Sequence, residues 1–188
     1  EFRQKLDELA QNFADILNPE AEPPEIVAAF TNFLFQQKGF KGNKEDYQNP
    51  DNSFLNKVLD NQTGLPITLS AICVLLAKRL NLPIVGVGMP GHYIVKYSLP
   101  IESIYFDPFH QGRLLTKKEC IQIVEQFGHS FEEHFLSQAT QRETLIRMLN
   151  NLIQVYKKSN ETKKAETLTK YIKILLNPSK GQQSEIIH

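Results

Sequence analysis

The segment that determines the fold of this chain is Gly64-Leu-Pro-Ile-Thr-Leu-Ser-Ala-Ile-Cys-Val-Leu-Leu-Ala-Lys-Arg-Leu80. Apolar residues cover every face of a helix over residues 67–80, and this pattern is typical of a helix buried on all sides. Pro66 suits the first turn of such a helix, where its missing N–H has no intrahelical partner to lose. Lys78 and Arg79 lie at the other end, where the helix dipole favours cations. The sequence therefore predicts a central helix that begins between residues 65 and 67.

Short β-type runs follow this helix and are separated by turn formers. They are Ile84–Val87, His92–Tyr97 and Ser103–Phe106. If residues 98–101 make the turn of the second hairpin, opposed residues have numbers that sum to 199. His92 then lies directly opposite Asp107, with Cβ atoms about 4.5–5.5 Å apart.

Helical patterns flank this centre on both sides. Two amphipathic helices are predicted within residues 1–40, the second ending at Gly39, and Asn52 or Ser53 is a predicted cap for a short helix through Leu59. After Gly112 we expect a helix over residues 117–127 capped by Thr116, a less regular one over 131–137, and a helical hairpin with its turn at Ser159-Asn160.

The predicted fold class is therefore α+β, with a buried central helix against a small antiparallel sheet, an N-terminal helical segment and a C-terminal αα-hairpin. We expect a main domain over residues 1–138, the hairpin over 139–178 packed on it, and a flexible tail over 179–188.

Composition is typical of a compact globular protein. The chain has 188 residues, of which 41% are hydrophobic and 22% charged, which is enough for an ordinary core. It contains no apolar run of about 18 residues, and its start alternates charges, so we expect a cytoplasmic protein with no membrane contact. Cys73 and Cys120 form no metal-binding spacing and are expected to be reduced and buried.

Charge is unevenly distributed although the net charge is zero. Residues 1–60 are net acidic and residues 141–188 net basic. The basic residues are spread along helices with only Tyr156 and Tyr171 among them, so a nucleic-acid partner is not predicted. The partner that this pattern leaves open is an unidentified protein or peptide.

Six separated segments together resemble the SirB-one type branch of the transglutaminase-like superfamily, over most of residues 25–125. They are Gly39–Asn43, Asp46-Tyr47, Asn52–Asn56, Gly64–Ile67, Gly86–His92 and Asp107–Phe109. Members of that branch are often followed by tetratricopeptide-like helices. The resemblance implies a papain-like fold, in which a buried helix opens with a Gly-x-Cys element, a strand supplies a His and the next strand supplies an Asp.

The resemblance also implies that the attacking residue is missing. The cysteine position falls on Pro66, while the histidine and aspartate positions fall on His92 and Asp107. Proline has no thiol or hydroxyl, so we expect a catalytically degenerate protein with a binding or regulatory role. Its old cleft would be bordered by Pro66, Gly91 and His110, with Gly91 serving through its backbone.

Other nucleophiles remain open. Ser70 and Thr68 carry hydroxyls in the first turns of the central helix, although a hydroxyl within a helix more often bonds to a backbone carbonyl. Cys73 lies two turns into the helix and is expected to be core. A hydrolase or acyl transferase that uses the His92 and Asp107 pair is therefore the first alternative function.

Two further interpretations concern a metal site and the C-terminal hairpin. His92, Asp107 and His110 are residue types that suit iron or zinc, but their spacing is no ligand signature and His110 is expected to face solvent, so no metal or cofactor is predicted. The C-terminal hairpin resembles one tetratricopeptide unit, and its basic side, taken to include Arg147, would suit an adaptor that binds through these helices.

Overall fold

The computed structural model describes residues 1–177. The helices are α1 (Phe2–Ala14), α2 (Pro23–Thr31), α3 (Leu55–Asn61), α4 (Pro66–Arg79), α5 (Lys117–Gln126), α6 (Gln141–Lys158) and α7 (Thr162–Leu176). The strands are β1 (Lys41–Gly42), β2 (Thr63–Gly64), β3 (Ile84–Val87), β4 (Ile94–Tyr97), β5 (Ile104–Asp107) and β6 (Arg113–Leu115). A π-helical turn continues α2 over Asn32–Gln37.

A four-stranded antiparallel sheet in the order β3-β4-β5-β6 forms one layer, and α4 packs against it. The short strands β1 and β2 form a separate parallel pair. The main core lies between α4, the sheet and the N-terminal helices, and its largest fully buried side chains include Phe13, Phe30 and Phe106. The predicted α+β arrangement is confirmed, whereas β1, β2 and β6 were not predicted.

Helix α4 begins at Pro66, as predicted, with the extended residue Leu65 at the N-cap. The prediction that it is buried on all sides is wrong, because Ala71, Val74 and Leu75 are only partly buried. These three residues line one wall of a groove of about 470 Å³ that continues onto β3 and α6. Helix α6 lies beside α4 without covering this stripe.

The predicted hairpin register is also wrong. Val95 pairs with Phe106 and Tyr97 with Ile104, so opposed numbers sum to 201 and the loop spans residues 98–103. The loop is two residues longer than the predicted turn. A shift by two leaves every side chain on its predicted face, because side chains alternate with a period of two.

The predicted cap of α3 is replaced by a different arrangement. Residues Pro50–Ser53 form a 3-10 turn that is capped by Asn49, and Phe54 is the N-cap of α3 without a side-chain hydrogen bond. Pro50 is the first residue of this turn, and the two predicted cap residues, Asn52 and Ser53, are part of it. The predicted cap of α5 by Thr116 is confirmed, and the irregular segment after α5 is a 3-10 helix over Glu133–Leu136.

The α6–α7 hairpin has a small core of its own, made by Leu152, Ile153, Tyr156 and Ala165. Toward the sheet, the Thr144 hydroxyl lies 2.8 Å from the Tyr93 hydroxyl. None of the helices within residues 1–177 has the length and hydrophobicity needed to span a bilayer. The predicted flexible tail over 179–188, and position 178 at the predicted end of the hairpin, lie outside the described residues.

Candidate functional site

His92 and Asp107 form a buried hydrogen-bonded pair. Asp107 is the last residue of β5, and His92 follows a turn at Pro90-Gly91 and precedes β4. Nε2 of His92 lies 2.7 Å from Oδ2 of Asp107, and the two residues are 9% and 2% exposed. The predicted proximity of the two residues is confirmed, although His92 lies outside the paired strand.

Asp107 accepts more than this one hydrogen bond. Its Oδ1 accepts from the backbone N–H groups of Phe109, at 2.9 Å, and His110, at 3.3 Å, which caps the short 3-10 turn Pro108–His110. Its Oδ2 also lies 2.7 Å from Nδ1 of His110. Burial raises the pKa of the Asp107 carboxyl, but the bonds and charges from His92 and His110 outweigh it and leave the pKa lowered.

His110 therefore belongs to the site more closely than the sequence suggested. Its side chain is 47% exposed, as expected for a residue in a turn, yet its ring reaches back to the carboxylate. The signal that could have revealed this contact is local. An Asp that caps a turn beginning with Pro108 brings the side chain three residues later back toward itself.

Arg147 of α6 holds the backbone that carries His92, and no sequence pattern indicated this contact. Its Nη1 donates to the Met89 carbonyl at 2.7 Å, and its Nη2 donates to the His92 carbonyl at 2.9 Å. The guanidinium lies 5.5 Å from the centre of the Tyr93 ring. Burial lowers the pKa of Arg147. Placing this residue on the outer basic side of the hairpin was therefore wrong.

Gly91 permits the turn before His92. Its φ of +73° lies in the left-handed region, and a Cβ at this position would overlap the ring of Phe127. Both observations agree with the expectation that Gly91 serves through its backbone.

The hydroxyls and the thiol of α4 are not arranged as nucleophiles. The Thr68 hydroxyl donates to the Asn52 carbonyl at 2.8 Å and accepts from the Leu65 N–H at 2.9 Å, so it caps the helix. The Ser70 hydroxyl is fully buried and has no hydrogen-bond partner among the described residues. Burial raises the pKa of the Cys73 thiol far above its ordinary value.

Pro66 is buried at the first position of α4, and this helix packs beside β4 and the 3-10 turn Pro108–His110. Leu65 and Ile67, its neighbours in sequence, contact Tyr93. The head of the central helix therefore lies next to the segment that carries His92, but Pro66 offers no atom that an imidazole could deprotonate.

A helix buried in the core, an antiparallel sheet and a His–Asp pair near the head of that helix define a papain-like α+β domain. A sequence profile of the transglutaminase-like superfamily matches residues 1–150. The chain belongs to this superfamily. The finer assignment to the SirB-one type branch, and the likeness of the hairpin to a tetratricopeptide unit, stay predictions.

The chain is 35% identical to a UPF0162 protein of Xylella fastidiosa over 169 residues, which are 85% of this chain and 60% of that protein. It is 30% identical to mouse F-box only protein 21 over 142 residues, which are 71% of this chain and 22% of that protein. A UPF0162 protein of Pseudomonas aeruginosa is 27% identical over 161 residues, 84% of this chain and 58% of the relative. The chain thus spans about 60% of the first of these relatives. No solved structure matched it.

Proposed function

We propose that this chain is a catalytically degenerate transglutaminase-like domain that acts by binding, in a regulatory role, and not by turnover. The observation that carries the proposal is Pro66, which lies buried at the head of α4 where members with activity would keep a cysteine. We further propose the cytoplasm as its place of action and a protein or peptide as its partner, as expected from the sequence.

The physical argument concerns what a nucleophile needs. A cysteine at a helix N-terminus has a lowered pKa because the helix dipole favours thiolate, and a neighbouring imidazole takes its proton. The imidazole and its orienting carboxylate are retained here as His92 and Asp107. Thr68 is engaged as a cap and Ser70 is enclosed in the core, so neither is hydrogen-bonded to His92 among the described contacts. The pair orients a base that has nothing to activate.

Restoring the thiol tests the proposal. We expect a Pro66→Cys variant to carry a thiol whose pKa lies below about 8.5, the value of free cysteine, and that loses this shift when His92→Ala is added. The measurement is the rate of alkylation by iodoacetamide as a function of pH. Wild type gives a low background, because burial raises the pKa of Cys73, and that of Cys120 to about 11.

Pro66→Ala is the matched control, because it changes the same position without adding a thiol. Circular dichroism of both variants shows whether the proline is needed for folding. If the pH dependence of alkylation in a folded variant shows a thiol pKa no lower than that of free cysteine, position 66 is not the place of a lost nucleophile and the proposal fails.

A second candidate function is a hydrolase or acyl transferase in which His92 acts as a base on water or on a substrate hydroxyl. The 2.7 Å bond between His92 and Asp107 favours it, because this contact is the one that orients a catalytic imidazole. A panel of activated acyl esters, with and without a primary amine, separates the two functions. Turnover by wild type that disappears in His92→Ala supports the enzyme, whereas equal rates in both proteins support binding.

We also propose that residues 1–138 form the main domain and that the hairpin beginning at residue 139 is an accessory element that docks on it. The contacts of Thr144 and Arg147 with the segment from Met89 to Tyr93 support this division. An adaptor role through the outer faces of α6 and α7 is compatible with it, since Tyr171, Ile174 and Leu176 are more than half exposed.

A further inference from the structure

We propose that His92, Asp107 and His110 bind a divalent transition-metal ion, Zn²⁺ or Fe²⁺. One ring nitrogen of each histidine and one carboxylate oxygen of Asp107 all lie within 4.8 Å of one another. This inference names a ligand for the site of the proposed function. It rests on that proposal in one respect: Pro66 supplies no thiol that would compete with the metal ion for the two imidazoles.

The donor set decides the class of ion. Two imidazoles and one carboxylate suit zinc and non-haem iron, whereas Ca²⁺ and Mg²⁺ favour oxygen ligands. Three protein ligands leave at least one coordination position for water or for a carboxylate of a partner. His110 is the exposed member of the set, so this open position would face solvent on its side of the site.

The carboxylate is already held in place for such a role. Oδ1 of Asp107 is fixed by the two backbone N–H groups of the turn that follows it, and Oδ2 is directed at the two imidazoles. Hydrogen bonds of this kind orient a metal ligand and raise the affinity of the site for its ion. The cluster thus has a buried, oriented carboxylate in Asp107, a buried histidine in His92 and a half-exposed histidine in His110.

The distances show what an ion would change. Both ring nitrogens lie 2.7 Å from Oδ2, which is the length of a hydrogen bond. With metal–ligand bonds of about 2.0–2.1 Å in tetrahedral geometry, neighbouring ligand atoms lie about 3.3 Å apart. The ion would therefore replace the two protons that now lie between Oδ2 and the imidazole nitrogens, and each nitrogen would move roughly 0.6 Å further from Oδ2. Each imidazole then carries its proton on the other ring nitrogen, so no proton is lost from a neutral ring.

The same cluster without an ion would serve only to fasten the end of β5 to the turn before β4. The two interpretations differ at His110. As a metal ligand, His110 contributes directly to the affinity for the ion. As one more hydrogen-bonding group at a half-exposed position, it contributes little to the stability of the fold.

The test is a titration of the untagged, chelator-treated chain of residues 1–188 with Zn²⁺ by isothermal calorimetry, repeated with Co²⁺, whose visible absorption reports its ligand field. We expect one ion per chain, at least about a tenfold loss of affinity in His110→Ala, and loss of binding in Asp107→Asn. His129→Ala removes a histidine from an exposed position outside the cluster and should bind as wild type does. Circular dichroism shows that each variant is folded.

Two results would overturn the inference: no binding by wild type, or a His110→Ala variant that binds as well as His129→Ala does. The outcome is independent of the alkylation experiment. Metal binding together with an unreactive thiol in Pro66→Cys would refute only the proposed function, and a reactive thiol without metal binding would refute only the metal site.

Discussion

Replacing Arg147 by methionine should destabilise the whole domain, although the residue belongs to the accessory hairpin. Its guanidinium makes two hydrogen bonds, to the carbonyls of Met89 and His92, and lies over the ring of Tyr93. A hydrogen bond to a charged group contributes about 1.5–3 kcal/mol, and a cation–π contact about 0.5–1 kcal/mol at an exposed site. Since Arg147 is only half-buried, we take the lower value for each of the three contacts and expect a loss of about 3.5 kcal/mol.

The assay is urea unfolding followed by circular dichroism, supported by thermal melts. For a chain of this size 1 kcal/mol corresponds to about 2–4 °C, so the melting temperature should fall by about 7–14 °C. Arg142→Met, at an exposed position of the same helix, is the matched control and should stay within about 0.5 kcal/mol of wild type.

Arg147→Lys refines the test. A lysine is a point charge and cannot reach both carbonyls with the fixed fork of a guanidinium, so roughly half of the loss should remain. If Arg147→Met proves as stable as Arg142→Met, then the two hydrogen bonds do not hold the turn before His92, and the reasoning is refuted.

Further predictions concern single side chains near the site. Ser70→Ala should be neutral or slightly stabilising, because it removes a buried hydroxyl that has no hydrogen-bond partner among the described residues. Thr68→Val should lower the free energy of unfolding by about 1–2 kcal/mol, because it leaves the Leu65 N–H and the Asn52 carbonyl without their hydrogen-bond partner. Equal unfolding free energies for the two variants would contradict this. Gly91→Ala should cost more than Gly128→Ala in urea unfolding, since both glycines have positive φ but only the first would drive a Cβ into Phe127; the reverse order would show that the ring simply moves aside.

Much of the fold could be predicted from the central segment because its signals agree. An apolar run that begins with Pro66 and ends in two cations specifies one buried helix with defined ends, and the structure has that helix at Pro66–Arg79. The alternation in the β runs likewise specified which side chains share a face, and it predicted the proximity of His92 and Asp107 although His92 lies outside the paired part of β4.

The hairpin register could not be predicted because alternation constrains it only to within two residues. Sums of 199 and 201 place the same side chains on the same face, so only the length of the loop distinguishes them. The partly exposed stripe on α4 was missed for a related reason. Ala71, Val74 and Leu75 are apolar, but the position of α6 decides whether they are covered.

Arg147 shows the limit of reading basic residues from sequence. On a helix that also carries Arg142, Lys157 and Lys158 it looks like one more solvated cation. Its partners are backbone carbonyls about 55 residues away, which no side-chain pattern records. His110 was partly recoverable, because its contact depends on a local turn.

The four hydrogen bonds of Asp107 have an evolutionary consequence. Two of them cap the turn after β5 and two hold imidazoles, so one side chain serves both the folding of the strand end and the candidate site. A mutation that removes it would be selected against for its effect on folding even in a protein that has no reaction left to catalyse. The presence of this aspartate is therefore no sign of activity, and comparisons among relatives should look first at position 66.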